Sequence, residues 1–206
     1  RFDAMSVGWE NPGHSVDSWR ADDGTARVAD LVRKGNVPDD DANPIVSALD
    51  ARSDLAGALA AWRALLGDAH VLVDDGTLDR YARSTSSSSR RPAAVLKPGT
   101  RDDVAALVKI ARRCRTPLYP ISTGRNWGYG DACAVYDGQV IVDLGRMNRI
   151  ERIDPELGYA VVEPGVTQGQ LAQHLVESGA PFWVDCTGAG PHTSLIGNIV
   201  ERGFGH

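Results

Sequence analysis

The sequence predicts an α+β fold, and three observations carry that prediction. Leu55, Ala58, Leu59, Trp62, Leu65 and Leu66 recur at the spacing of one helical face, with Gly67 just beyond them as a stop. Between residues 93 and 130 an apolar strand-like run, an amphipathic helix and a second apolar run lead into a loop holding Gly124, Gly128 and Gly130. Beyond it lie strand-like runs at 139–144, 149–153 and 159–163, then a helical pattern from about Thr167 to Glu177.

Taken in order, residues 1–50 are rich in Asp, Asn, Gly and Pro with little apolar periodicity, which predicts an irregular arm lying over another surface. The first helix starts near Ser53, and on its apolar stripe Trp62 reads as a core residue in preference to a ligand-stacking platform. His70–Val73 is a short strand, and Asp74-Asp75-Gly76 turns into a helix around 78–82. The polar run Ser84–Ser89 is a surface connection. Ala93–Leu96 is a strand and Pro98-Gly99 a turn. Thr100-x-x-Asp103 has the form of a capping box, opening a helix with Val104, Leu107, Val108 and Ala111 on one face. That helix ends near Cys114, where Arg112, Arg113 and Arg115 suit the negative pole of its dipole. Leu118–Ile121 returns as a strand, and Phe182–Val184 closes the series as another. There is no internal repeat.

With 206 residues, 42% of them hydrophobic, the chain can bury a real core. A net charge of −5 with dispersed basic residues gives no electrostatic ground for a nucleic acid or an anionic membrane as partner. No apolar run approaches the roughly twenty residues that span a bilayer, and no signal-peptide pattern opens the sequence. Cys114, Cys133 and Cys186 lie far apart without C-x-x-C spacing, which argues against a disulfide framework or a metal site. A soluble, cytoplasmic protein is the expectation.

The segment Pro120-Ile121-Ser122-Thr123-Gly124-Arg125-Asn126-Trp127-Gly128-Tyr129-Gly130 carries the chemistry. Glycine adopts positive φ without a Cβ clash, so successive backbone N–H groups can converge on an anion. Ser122, Thr123 and Asn126 add side-chain donors, and Arg125 adds a fixed positive charge. The spacing is neither G-x-G-x-x-G nor G-x-x-x-x-G-K-[ST], so neither standard nucleotide loop applies. A glycine-rich surface turn is the competing reading of the loop alone.

Further along come Val140-Ile141-Val142-Asp143-Leu144, Met147-Asn148-Arg149-Ile150, Tyr159-Ala160-Val161-Val162-Glu163-Pro164-Gly165-Val166, Ser194-Leu195-Ile196-Gly197-Asn198 and Glu201-Arg202-Gly203-Phe204-Gly205. In that order they resemble the flavoprotein family of vanillyl-alcohol oxidase, eugenol oxidase and the flavin subunit of p-cresol methylhydroxylase, over about residues 90–206. The resemblance implies a FAD-binding PCMH-type domain over 86–206, incomplete at its C-terminus, preceded over 1–85 by an N-terminal arm and helical segment. FAD is the implied cofactor, its pyrophosphate held by Ile121, Ser122, Thr123, Gly124, Arg125, Asn126, Gly128 and Gly130. Pro164, Gly165 and Val166 look like the family's second flavin contact, against the alternative of a plain turn ending a strand, with Glu163 shaping the site. Ser194, Gly197 and Asn198 resemble the segment lying along the flavin and its diphosphate, flanked by Gly190 and Gly203.

The implied reaction is oxidation of a small organic substrate, a para-substituted phenol or benzylic alcohol, by hydride transfer to flavin. In the phenol-oxidising relatives the Tyr of the matching Gly-Tyr-Gly helps hold the phenolate, which makes Tyr129 the substrate-site candidate beside the alternative of a packed tyrosine. Two other readings stay open: a flavin-dependent 2-hydroxy-acid dehydrogenase and a truncated, non-catalytic flavodomain acting as a scaffold. Thr187–Thr193 stands where alcohol-oxidising relatives place an acid in a Pro-Asp-Leu-Gly segment, and Asp185 lies too far upstream to replace it. His192 has no counterpart and is read either as a flavin neighbour or as structural. His206 stands where relatives commonly place Tyr. Arg125 lies near the position at which the wider superfamily carries a flavin-linked His, and arginine cannot form that bond. The remainder of the FAD and cap domains, a homodimer mate and a cytochrome electron acceptor are the candidate partners besides the substrate.

Overall fold

The computed structural model describes residues 53–85, 89–125, 131–185 and 190–200. The predicted arm, residues 1–50, lies outside them.

The first helix, α1 (Leu55–Leu66), begins where Asp54 accepts the Gly57 N–H at 2.9 Å and ends at Gly67, whose φ of +83° is left-handed. A short 3₁₀ turn leads to β1 (Val71–Leu72), and α2 (Asp75–Ala82) follows. The Asp74 side chain caps α2 through Thr77 N–H, so this helix starts three residues before the expected position. Next come β2 (Ala94–Leu96) and α3 (Arg101–Cys114), whose capping box between Thr100 and Asp103 is present as the sequence predicts. Arg115 closes α3 in the left-handed region at φ +52°. β3 (Leu118–Ile121) and β4 (Val140–Asp143) complete a four-stranded sheet in the order β1-β2-β4-β3. β1 runs antiparallel to β2, and β2–β4 and β4–β3 are parallel.

Strand alternation splits the core between the two faces of this sheet. Ala94, Leu96, Val140 and Val142 pack with Ala58, Trp62, Leu107, Ala111 and Cys114 of α1 and α3. Val95 and Ile141 pack the other way, with Leu78 and Tyr81 of α2 and with Ala134. All four residues of β4 are buried, as expected for a strand covered on both sides. Trp62 is fully buried, and its indole N–H donates to Leu107 O at 3.2 Å, consistent with the core role predicted for it. β1 pairs with β2 across the expected boundary near residue 85, so that boundary is not a break in packing.

The second sheet is the hairpin β5 (Ile150–Asp154) and β6 (Tyr159–Val162), with an irregularity between Ile150 and Arg152. α4 (Gln168–Ser178) is capped by Thr167 and closed by Gly179 at φ +65°, and α5 (Leu195–Val200) follows Ser194. Val166, Leu171 and Leu175 form their own small core with Ile150, Ile153, Val162 and Val184. Phe182–Val184 is not a strand. Val184 rests against that core while Trp183 is exposed, and no described strand offers the segment a ladder. Cys114 and Cys133 are buried free thiols.

Candidate functional site

β3 delivers the glycine loop to the C-terminal edge of the parallel strands. Its last residue, Ile121, stands opposite Asp143 in the ladder, and Ile121 O accepts Leu144 N–H at 2.9 Å. Gly124 has φ +65°, and a Cβ placed there would lie 2.7 Å from the Ala132 Cβ. Both facts make glycine the residue this position requires.

The turn after β4 is organised by Asp143, a buried carboxylate. Its Oδ1 accepts Gly145 N–H at 2.8 Å, its Oδ2 accepts the Tyr81 hydroxyl at 2.5 Å, and Lys97 Nζ lies 3.6 Å from Oδ2. Burial, reinforced by the Asp143 hydrogen bond and charge, drives the Tyr81 hydroxyl pKa well above its ordinary 10.0, so the phenol is a fixed donor. Arg146 crosses from the same turn to donate to Lys97 O at 2.7 Å.

Pro164-Gly165-Val166 lies on that turn. Gly165 N–H donates to Met147 O at 2.7 Å, and a Cβ on Gly165 would come within 2.7 Å of Leu144 O and 2.8 Å of Met147 O. The missing Cβ at 165 therefore admits the chain's own backbone. Before it, both oxygens of Glu163 are engaged by Arg149, from its backbone N–H at 2.8 Å and its guanidinium at 2.7 Å. The guanidinium and backbone hydrogen bonds hold the Glu163 carboxyl below its ordinary range, an arrangement that shapes the segment.

The third piece is bridged to the chain just after the second. Thr167 and Ser194 form an antiparallel bridge, flanked by Leu195 N–H to Val166 O at 3.0 Å and Gln168 N–H to Thr193 O at 2.9 Å. Ser194, almost fully buried, accepts Gly197 N–H on its hydroxyl at 2.8 Å. A Cβ on Gly197 would lie 2.5 Å from Ser194 Oγ and 3.2 Å from Ser122 Oγ, which places the start of α5 against the glycine loop. Segments that begin at residues 121, 164 and 194 thus meet through direct contacts or through the 143–147 turn. Gly190 takes a left-handed φ of +83° in the turn that accepts Thr193 N–H, and Asn198 N–H bonds to Ser194 O. Arg125 is exposed at the loop, and His192 is also exposed. Asn126, Gly128, Tyr129, Gly130 and Gly203 lie outside the described residues.

The donor set suits an anion. Hydroxyls of Ser122 and Thr123 and the Arg125 guanidinium belong to one loop, and the nearby buried carboxylates Asp143 and Glu163 are each bonded to their own donors. Thr193 Oγ1 is buried without a hydrogen-bond partner among the described residues, a cost that a ligand atom would relieve. Sequence reasoning missed Asp143, Tyr81 and Lys97. The available signal was an acid closing an otherwise apolar run, Val140-Ile141-Val142, in a fully buried strand. Among the described residues there is no cluster of His, Cys, Asp and Glu able to hold a metal ion, and no helix long and apolar enough to cross a membrane.

The family described as FAD binding domain matches residues 92–206. The chain is 44% identical over 151 residues to 1'-carboxy-chondrochloren decarboxylase of Chondromyces crocatus, covering 73% of this chain and 28% of that protein. It is 40% identical over 152 residues to the 4-cresol dehydrogenase [hydroxylating] flavoprotein subunit of Pseudomonas putida, covering 72% of this chain and 29% of that one. Among solved structures, p-cresol methylhydroxylase with substrate bound superposes with a TM-score of 0.70 at 39% identity, over 72% of this chain and 30% of the other. The chain spans under a third of the length of these relatives.

Proposed function

The chain belongs to the FAD binding domain family, and from that premise we propose that it is the cofactor-holding part of a FAD-dependent oxidoreductase acting on a para-substituted phenol or a benzylic alcohol. The observation that carries the reading is the meeting of Ser122 with Gly197 beside Val166 and Leu195, which gathers the segments read as cofactor-binding into one cradle. Ser122, Thr123, Gly124 and Arg125 hold the pyrophosphate, with Ile121 fixing the loop to the sheet; charge-assisted hydrogen bonds of this kind are roughly twice as strong as neutral ones. Pro164, Gly165 and Val166 form the wall on which the Ser194 segment rests, and Ser194, Gly197 and Asn198 line the far side. Bound FAD supplies the acceptor for a substrate hydride. The protein's own part is to place and shield the ring, and Tyr129 is the residue proposed to hold the phenolate.

The names of the 4-cresol and p-cresol relatives support a phenolic substrate, and the words flavoprotein subunit in one of them support a second subunit as electron acceptor, which we take to be a cytochrome. A cytoplasmic location and a homodimeric assembly belong to the same proposal. The test is the visible spectrum of the full-length protein before and after denaturation, followed by anaerobic mixing with a series of para-alkyl phenols. Flavin bands that bleach on mixing are the expected result. A colourless protein that takes up no added FAD overturns the cofactor assignment, and a flavin that no phenol or benzylic alcohol reduces overturns the substrate class.

A further inference from the structure

We propose that Asp143, held by Tyr81, is the positioning residue of the cofactor cradle: it sets the 144–147 turn against which both the glycine loop and the Pro164-Gly165 segment lie. The inference rests on the FAD reading above.

A carboxylate at the end of a buried strand is costly unless its oxygens are bonded. Here the oxygens have separate tasks. Oδ1 accepts Gly145 N–H and so fixes the first bend of the turn, while Oδ2 takes the Tyr81 hydroxyl and faces Lys97. Tyr81 is fixed in turn, because its ring is buried among Leu78, Val95, Ala134 and Ile141.

From this anchor the turn reaches both walls of the site. On one side Leu144 N–H bonds Ile121 O, and the Cβ position of Gly145 lies 3.6 Å from Ser122 O. On the other, Met147 O accepts Gly165 N–H, and Leu144 O fills the space beside Gly165. Rotation of the Asp143 carboxylate away from Gly145 would move both walls together. Lys97 also counters the Asp143 charge, and the Tyr81 hydroxyl disperses it by hydrogen bonding, beside a loop meant for an anion, which an unpartnered carboxylate would repel.

The experiment uses the full-length protein stripped of FAD, titrated with FAD by flavin fluorescence well below the lowest apoprotein Tm. Tyr81→Phe is expected to weaken FAD by about tenfold, the effect of one lost hydrogen bond to a charged group. Asp143→Asn keeps an acceptor for Gly145 N–H and turns its amide NH2 to the Tyr81 hydroxyl, which then accepts instead of donating, and is expected within about threefold of wild type. Asp143→Leu is expected to weaken FAD by more than about tenfold, and the double variant with Tyr81→Phe to lose no more than Asp143→Leu alone, the signature of two residues acting as one unit. Should Asp143→Leu fail to fold, Tyr81→Phe and Asp143→Asn still decide. Unchanged affinity in Tyr81→Phe, or a loss in Asp143→Asn as large as in Tyr81→Phe, overturns the inference while wild-type binding leaves the FAD reading standing. Failure of the wild type itself to bind FAD overturns both.

Discussion

Gly197 lies against Ser122: a Cβ on the glycine would come within 3.2 Å of the serine Oγ and 3.3 Å of its Cβ. Two motifs far apart in sequence are therefore packed so closely that neither tolerates a methyl group between them. Gly197→Ala should lower FAD affinity by about tenfold through displacement of Ser194 Oγ, 2.5 Å from the new methyl, and of Ser122 beyond it. Its apoprotein Tm should fall as well, because the new methyl also lies 2.5 Å from Ser194 Oγ, the acceptor of the Gly197 N–H. FAD titration and thermal melts of the same preparations check both statements, and an unaltered affinity would show that the contact is irrelevant to the cofactor.

At Gly124 the backbone is left-handed and the Cβ space is already taken by Ala132. Gly124→Val in the full-length protein combines a φ penalty of about 1–2 kcal/mol with a direct clash, so the loop must shift. The purified variant is expected to contain less than stoichiometric FAD. Wild-type affinity in this variant would remove the loop from the cofactor site.

Tyr129→Phe separates substrate from cofactor. FAD content should stay at the wild-type level while kcat/KM on para-alkyl phenols falls by about tenfold or more, as expected for one lost hydrogen bond to a phenolate. Steady-state kinetics across a phenol series decide this, and unchanged kinetics would leave Tyr129 a packing residue.

The Arg149–Glu163 pair makes stability depend on acid pH. The Glu163 pKa is lower in the folded chain than its ordinary 4.5, so the unfolded chain binds the proton more readily. The pair's contribution is present above about pH 4.5 and is lost as the pH falls through the depressed folded value. Denaturant unfolding from neutral to acid pH should show a steeper acid decline for wild type than for Glu163→Gln. Parallel curves would show that the pair contributes nothing.

Much of the fold was legible because it rests on local rules. The α1 stripe ending at Gly67, the Thr100 capping box and the apolar runs of β2, β3 and β4 each announce themselves within a few residues. Phe182–Val184 misled because a short apolar run shows its β-propensity and not whether a partner strand exists. The cradle was legible as motifs and not as contacts. Nothing local in Ser194-Leu195-Ile196-Gly197 says that Ser122 lies beside it, and the hydroxyl bonded to Asp143 comes from Tyr81 in α2, 62 residues earlier in the chain. Nor does anything local at Gly165 announce that its Cβ position faces Leu144 O and Met147 O.

The Thr167–Ser194 bridge and the packing of Gly197 on Ser122 also set an order of events in time. Both join segments separated by long stretches of chain, so each requires a long loop to close before it gains anything, whereas α1 and α3 form from neighbouring residues. The seam rests on a single bridge and its flanking hydrogen bonds, whereas β4 is paired on both sides, so the seam is expected to open before the central sheet. Its amides, those of Gln168 and Leu195 among them, should exchange with deuterium sooner than those of Ile141 and Val142 in the central strand. A ligand touching both sides of the seam slows that exchange by mass action, joining the segments as a crosslink would without any covalent bond.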